Sequence, residues 1–263
     1  MDQISKHPKS TQPAKAYSLA RAILNQAVAD ELIRVNPCRV KGAGRESAPE
    51  RPIVMPDQVA AIAGAMTDRY RAMVFLGSYC SLRFGELAGL RRRRVDLLHR
   101  RLILDPEIGN AVGLRGGVVS FRPPKADSAR TVAIPAGLIE ILEHHLEHFV
   151  GADSDALVFT TPAGDPLHRA KFRKPWAAAL AGAGIAPIHF HDLRGSGATW
   201  AATSGATLRE LMARLGHSTA VMAIRYQHAT EERDQEIANC LDALMRAAAV
   251  VSEPEPEVIS IGS

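Results

Sequence analysis

The reactive side chains of this sequence are densest between His191 and Tyr226. His191-Asp-Leu-Arg194 sets a histidine and an arginine three apart, on one face of a helix start. Leu215-Gly-His217 and Ile224-Arg-Tyr226 follow, Tyr226 standing nine positions after His217. Far upstream, Ser81-Leu-Arg83-Phe-Gly-Glu86-Leu places another arginine at a helix start. Between them, Pro124-Lys125-Ala-Asp-Ser-Ala-Arg-Thr-Val puts a lysine in a turn leading into a strand. Arginine offers a planar, permanently charged set of donors to an oxyanion. Histidine and lysine can move protons, and tyrosine can form a covalent intermediate once a base or a cationic field activates it. Each piece alone also has an ordinary reading. An arginine before Gly-Glu-Leu opens many solvated helices, a lysine in a turn is usually solvated, and a tyrosine can be a core aromatic with a polar tip. Glu86 either holds a neighbouring group in place or favours a helix N-terminus.

Other motifs compete. His144-His-Leu-Glu147-His148 matches a zinc-binding pattern, but Glu140, Glu143 and Glu147 around it read as a solvated helix face, and no metal site is assigned. Arg91 to Arg94 either touch phosphates or form a solvated turn. Neither G-x-x-x-x-G-K-[ST] nor G-x-G-x-x-G occurs, so neither a nucleoside triphosphate nor a dinucleotide is implied.

The elements that must position these groups follow from periodicity. Residues 1–15 are polar and expected to be loose. Tyr17 to Val35 carries Leu19, Ile23, Leu24, Ala27 and Val28 at helical spacing. Residues 41–52 mix Gly, Pro and charge, as linkers do. Helices are predicted from Pro56 to about Met66, from Tyr70 to Cys80, and from Leu138 to Phe149. Four more lie near 168–182, 191–203, 207–215 and 218–227, and the last runs from Glu231 to about Ala248. Leu102-Ile-Leu, Val118-Val-Ser-Phe, Thr131-Val-Ala-Ile and Leu157-Val-Phe read as strands, with 113–117 as a connecting loop. The tail 251–263 is expected to be disordered. Helices, a small antiparallel sheet, then helices again make an α+β, mainly helical fold rather than a doubly wound one.

The chain has 263 residues, 46% hydrophobic and 23% charged, enough for one large domain or one domain plus an appendage. No apolar run reaches the roughly 18 residues of a membrane span, and the polar N-terminus is no secretory signal. Cys38, Cys80 and Cys240 are too scattered for a disulfide framework or a zinc module, which fits a reducing cytoplasm. The net charge of +4 hides an asymmetry. Arg83 to Arg130 holds 11 Lys and Arg against 5 Asp and Glu, whereas Glu231 to Ser263 holds 2 against 8. A concentrated basic stretch favours a polyanionic partner.

The order Arg, Lys, His-x-x-Arg, His, Tyr, with its flanks LRFGEL, PPKADSARTVAIP, HDLRGSGAT and LGHSTAVMAIRYQH, resembles the tyrosine recombinase (phage integrase) family over about 53–230. The resemblance implies a catalytic domain over 53–250 that cleaves and rejoins double-stranded DNA through a 3′-phosphotyrosyl intermediate. It further implies that residues 1–45 are a shortened core-binding helical domain, joined by a linker at 46–52. It also implies self-association, a tetramer on DNA in which the 231–248 helix is exchanged between protomers; the alternative is that the apolar stripe of this helix packs on its own domain. The side chains support that chemistry. Arg83 and Arg194 would clamp the phosphate oxygens, with His217 as a further donor. Tyr226 would be the nucleophile; because a phenol titrates at about 10 in water, it needs help, which His191 could give by accepting its proton. Lys125 would protonate the leaving 5′-oxygen. Covalent capture conserves the phosphodiester energy, so no cofactor and no metal are called for. Two other readings stand beside this one: a truncated, non-catalytic DNA-binding remnant, and a monomeric relaxing enzyme of the type IB topoisomerase kind. The short N-terminal region favours the remnant; the compact motifs and the acidic C-terminal helix count against the topoisomerase.

Overall fold

The computed structural model describes residues 12–45, 51–104, 110–115, 118–122, 129–216, 219–224, 226, 238–239 and 241–242. The chain divides into two units, Met1–Pro52 and Ile53–Ser263.

In the first unit, helix α1 spans Gln12–Ala29. It begins earlier than the apolar spacing suggested, with Pro13 in its first turn, where a missing N–H costs nothing. It also stops earlier. Glu31 takes φ 58°, its N–H bonds the Val28 carbonyl at 3.1 Å, and the Leu32 N–H bonds the Ala27 carbonyl at 2.9 Å. That is a Schellman ending with glutamate where glycine is usual. The chain then folds back on α1. Asn36 Nδ2 donates to the Arg21 carbonyl at 2.9 Å, and the Val40 N–H donates to the Tyr17 hydroxyl at 2.7 Å.

The second unit is built around α3 (Asp68–Ser78), whose Met73, Val74 and Leu76 are fully buried. It follows α2 (Pro56–Ala65) and precedes the short α4 (Phe84–Gly89). A three-stranded antiparallel sheet comes next: β1 (Val95–Asp96) pairs with β2 (Arg101–Leu104), which pairs with β5 (Arg130–Ala133) in the register Leu102 to Val132. Between β2 and β5 lies a separate hairpin, β3 (Asn110–Arg115) with β4 (Val118–Arg122). Three segments differ from the sequence expectation. Val118–Phe121 is a strand, but it joins β3 and not the main sheet. Gly113 lies within β3, paired with Ser120, next to a register shift at which Val112 is the extra residue. Leu157–Phe159 also forms no strand; Leu157 makes one isolated bridge to Arg91.

The remaining helices are α5 (Ile139–Phe149), α6 (Arg169–Gly182), α7 (Phe190–Thr203), α8 (Leu208–Leu215) and α9 (Ala220–Ile224). Of the predicted C-terminal helix, 238–239 and 241–242 are helical, and the rest lies outside the described residues, as does the tail. The crossing of α3 with α7 fixes the site. A Cβ on Gly77 would lie 2.8 Å from the Phe190 ring, and one on Gly197 would lie 1.9 Å from the Ser78 carbonyl oxygen. Only glycine permits that approach. Phe172 stands at the centre of an aromatic cluster with Tyr70, Phe84, Trp176 and Phe190, at ring separations of 5.2–6.1 Å. No helix among the described residues is long and apolar enough to cross a membrane.

Candidate active site

Arg83 precedes α4, and Glu86 anchors it twice. Its backbone N–H donates to Glu86 Oε2 at 2.8 Å, and its Nη1 donates to Glu86 Oε1 at 2.8 Å. Glu86 therefore fills both roles the sequence left open, helix N-terminal acceptor and holder of the arginine. Nη2 of Arg83 donates to the Gly216 carbonyl at 3.2 Å, and the side chain keeps 32% of its surface exposed.

Arg194 lies on α7 three residues before the tight glycine crossing and is almost fully buried. It donates to the Ser81 carbonyl and to the Leu215 carbonyl. Ser81 reaches it by adopting φ 53° between α3 and α4. The two arginines thus lean on one turn: Leu215 closes α8, and Gly216 caps it at φ 60°, in the left-handed region. Burial, and then the charge of Arg83, push the Arg194 guanidinium down to about 9.

Glu86 is the carboxylate of this cluster. Arg130 donates Nη1 and Nη2 to its two oxygens, each at 3.0 Å. Burial alone would raise the Glu86 carboxyl; the paired bonds and charge of Arg130, with the charges of Arg83 and Arg194, hold it below its ordinary value. Three guanidinium groups around one carboxylate leave excess positive charge, and such a place is suited to an anion.

Tyr226 follows α9, with its N–H on the Ala223 carbonyl at 3.1 Å. Its half-buried ring stands beside α7: a Cβ on Gly195 would lie 3.9 Å from Cε1. Tyr226 lies within electrostatic reach of the Arg194 guanidinium. His191 is exposed on the first turn of α7, while its neighbour Asp192 turns inward and accepts from the His189 N–H at 2.8 Å. The structure thus brings together Arg83, Arg194 and Tyr226 and places His191 on the same helix as Arg194. Lys125 and His217 lie outside the described residues. Arg130 is the residue the sequence reading passed over. The available signal was strand alternation, since it shares a β5 face with buried Val132, and a charged residue on a buried face demands a partner.

The competing motifs resolve differently. His144 and His148 are exposed and stacked at 4.1 Å, and His148 Nδ1 bonds the His144 carbonyl at 2.9 Å. His145 is buried, with Nε2 donating to the Val158 carbonyl at 2.8 Å. Arg91 and Arg92 donate to the carbonyls of Asp155 and Leu146 at 2.7 and 2.9 Å, and Arg93 pairs with the Asp155 carboxylate at 3.1 Å. The basic run thereby ties down the segment after α5.

Comparison with known proteins fits this geometry. Residues 53–233 match the phage integrase family. The prophage phiRv2 integrase of Mycobacterium tuberculosis is 41% identical over 240 residues, covering 89% of this chain and 62% of the relative. The integrase of Mycobacterium phage L5 is 34% identical over 248 residues, covering 92% and 65%. The chain therefore spans less than two thirds of the length of these curated relatives. Among solved structures, the Tn1549 transposon integrase in complex with a circular intermediate DNA superposes with a TM-score of 0.73 at 18% identity, covering 86% of this chain and 78% of that one. A lambda integrase dimer bound to a COC′ core site gives 0.55 at 17% identity, covering 81% and 57%. These two likenesses show a fold shared with the Tn1549 and lambda integrases. With its matched span reaching from Ile53 past Tyr226, the chain belongs to the phage integrase family.

Proposed function

We propose that this chain is a site-specific DNA recombinase that cleaves and rejoins double-stranded DNA through a 3′-phosphotyrosyl intermediate. The observation that carries the reading is the seating of the Tyr226 ring beside Gly195, within electrostatic reach of buried Arg194, while Arg83 shares the turn that Arg194 leans on. In the proposed step, Tyr226 Oη forms a bond to phosphorus as the bond from phosphorus to the 5′-oxygen breaks. Lys125 gives its proton to that 5′-oxygen, and the phenol proton passes to His191. Arg83, Arg194 and His217 stabilise the charge that grows on the non-bridging oxygens. Attack by the 5′-hydroxyl of another strand reverses the sequence and releases Tyr226. DNA complexes of the Tn1549 and lambda integrases support double-stranded DNA as the partner, and assembly as a tetramer exchanging the 231–248 helix belongs to the same proposal.

The test is a labelled duplex, carrying a site selected from random-sequence DNA and a nick just beyond the scissile phosphate, incubated with the intact chain and run under denaturing conditions. The nick lets the short 5′-hydroxyl strand diffuse away and traps the intermediate. A covalent band supports the recombinase. DNA binding without such a band indicates the non-catalytic remnant instead.

A further inference from the structure

Arg130 stands at the first position of β5, five residues beyond Lys125, and its side chain is 6% exposed. Its three nitrogens point to two different elements. Nη1 and Nη2 meet the carboxylate of Glu86, each at 3.0 Å, and Nε donates to the Arg214 carbonyl at 2.8 Å. Glu86 in turn holds the backbone and the guanidinium of Arg83. Arg214 belongs to the last turn of α8, just before the Leu215 carbonyl that accepts from Arg194 and the Gly216 carbonyl that accepts from Arg83. The packing is close: a Cβ on Gly216 would lie 2.8 Å from Arg130 Nη1.

We propose that Arg130 is a positioning residue for DNA cleavage, which clamps Glu86 to the C-terminal turn of α8 so that Arg83 and Arg194 are aimed at one phosphate. The proposal rests on the recombinase reading above. A guanidinium presents donors in fixed directions, and here those directions join the carboxylate behind Arg83 to the turn on which both arginines rest. A buried arginine–carboxylate pair is weak evidence for stability, because apolar groups of similar volume often serve as well. Held orientation is what such a pair adds, and misplacing catalytic groups by about 1 Å can slow a reaction about 100-fold. With 6% of its side chain exposed, and each of its three nitrogens donating to Glu86 or to the Arg214 carbonyl, Arg130 acts through Arg83 and Arg194.

The experiment compares wild type, Arg130→Lys, Arg130→Gln and Arg130→Gln/Glu86→Gln in single-turnover cleavage of the nicked duplex, with binding and melting curves measured alongside. Arg130→Lys keeps a charge beside Glu86 but cannot bond both carboxylate oxygens and the Arg214 carbonyl together. It is expected to melt cooperatively, bind DNA within about threefold of wild type, and cleave about 100-fold more slowly. The charged groups facing Glu86 are Arg83 beside its own helix, Arg130 on β5 and Arg194 on α7. With Arg130 replaced by Gln, burial dominates and the Glu86 carboxyl rises. The acid limb of the cleavage rate therefore moves to higher pH, and the double variant, lacking the carboxyl, does not show that shifted limb. A folded Lys or Gln variant that cleaves within about threefold of wild type overturns the proposal. So does a loss of affinity as large as the loss of rate, which would make Arg130 a DNA contact, or an unmoved acid limb. If neither single variant melts cooperatively, Arg130 serves the fold and the positioning role is likewise overturned. A wild-type chain that binds the duplex but never captures it overturns the recombinase reading itself, a result separate from all of these.

Discussion

Tyr226 carries one hydroxyl on which the proposed reaction depends, while its ring does the packing beside Gly195. Tyr226→Phe should therefore abolish the covalent band while DNA affinity stays within about twofold, as band-shift and denaturing gels on the same samples would show; covalent capture by the Phe variant would exclude Tyr226 as nucleophile. Arg194→Lys should slow cleavage by about two to three orders of magnitude, since an ammonium cannot bond the Ser81 and Leu215 carbonyls and a phosphate in the guanidinium's fixed geometry. Glu86 gives a pH prediction. Its carboxyl is held below the ordinary value, so its ionised form contributes stability that is present above the unfolded value of about 4.3 and lost as pH falls through the lower folded value. Glu86→Gln should cost roughly 3–5 kcal/mol near neutrality, because it leaves Arg130 buried without its countercharge. The gap between the melting temperatures of variant and wild type should narrow below about pH 4. A gap that does not change with pH would mean that Glu86 acts by shape alone. At this scale the sequence was legible where distinctive strings hold residues that the structure brings together: Arg83, Arg194 and Tyr226. Arg130 stands in such a string too, PPKADSARTVAIP, but its role depends on Glu86, 44 positions away, and on an α8 carbonyl 84 positions away. No local pattern encodes those partners.

The site holds together because helices cross where side chains are missing. Gly197→Ala would set a Cβ 1.9 Å from a backbone oxygen of α3, which cannot rotate away, so α7 must move with Arg194 on it. A loss of about 1–3 kcal/mol, or more, is expected from such overpacking, together with a loss of cleavage. Gly64 on α2 is the contrasting case: a Cβ there meets nothing within 4 Å, so Gly64→Ala should stabilise by about 0.5–1 kcal/mol through helix propensity. Denaturant melts of the two variants, run together, check both signs; a neutral Gly197→Ala would mean that the crossing is looser than described. The long helices of the second unit were legible from period and punctuation, because their apolar faces are what the core demands. The misses have physical causes. The end of α1 depends on a glutamate at positive φ, which no end signal announces. The 113–117 stretch reads as a loop because glycine is rare within strands, yet Gly113 pairs with Ser120 beside the register shift at Val112. Leu157-Val-Phe has the composition of a strand but finds only a single bridge, its neighbours being held instead by arginines.

Across the whole molecule, charge is separated along the chain, with basic residues gathered between Arg83 and Arg130 and acidic ones after Glu231. A DNA partner would make affinity fall steeply with salt, since each neutralised phosphate releases a counterion; six or more contacts would cost about a thousandfold between 50 and 200 mM. The basic run does not contribute evenly to that slope. Arg83 is partly exposed within the anion-seeking cluster, whereas Arg92 bonds the Leu146 and Gly151 carbonyls at 2.9 and 3.4 Å and so serves the end of α5. Arg92→Gln is therefore expected to lower the melting temperature, by the equivalent of about 1–3 kcal/mol for hydrogen bonds from a charged donor, and to leave the slope of log affinity against log salt unchanged. Arg83→Gln should do the reverse in part, reducing the slope by about one contact at a fixed DNA site. Titrations at four or five salt concentrations with both variants separate the two kinds of arginine. A reduced slope for Arg92→Gln, with no change in melting, would place the 91–94 run on the phosphate backbone rather than in the fold.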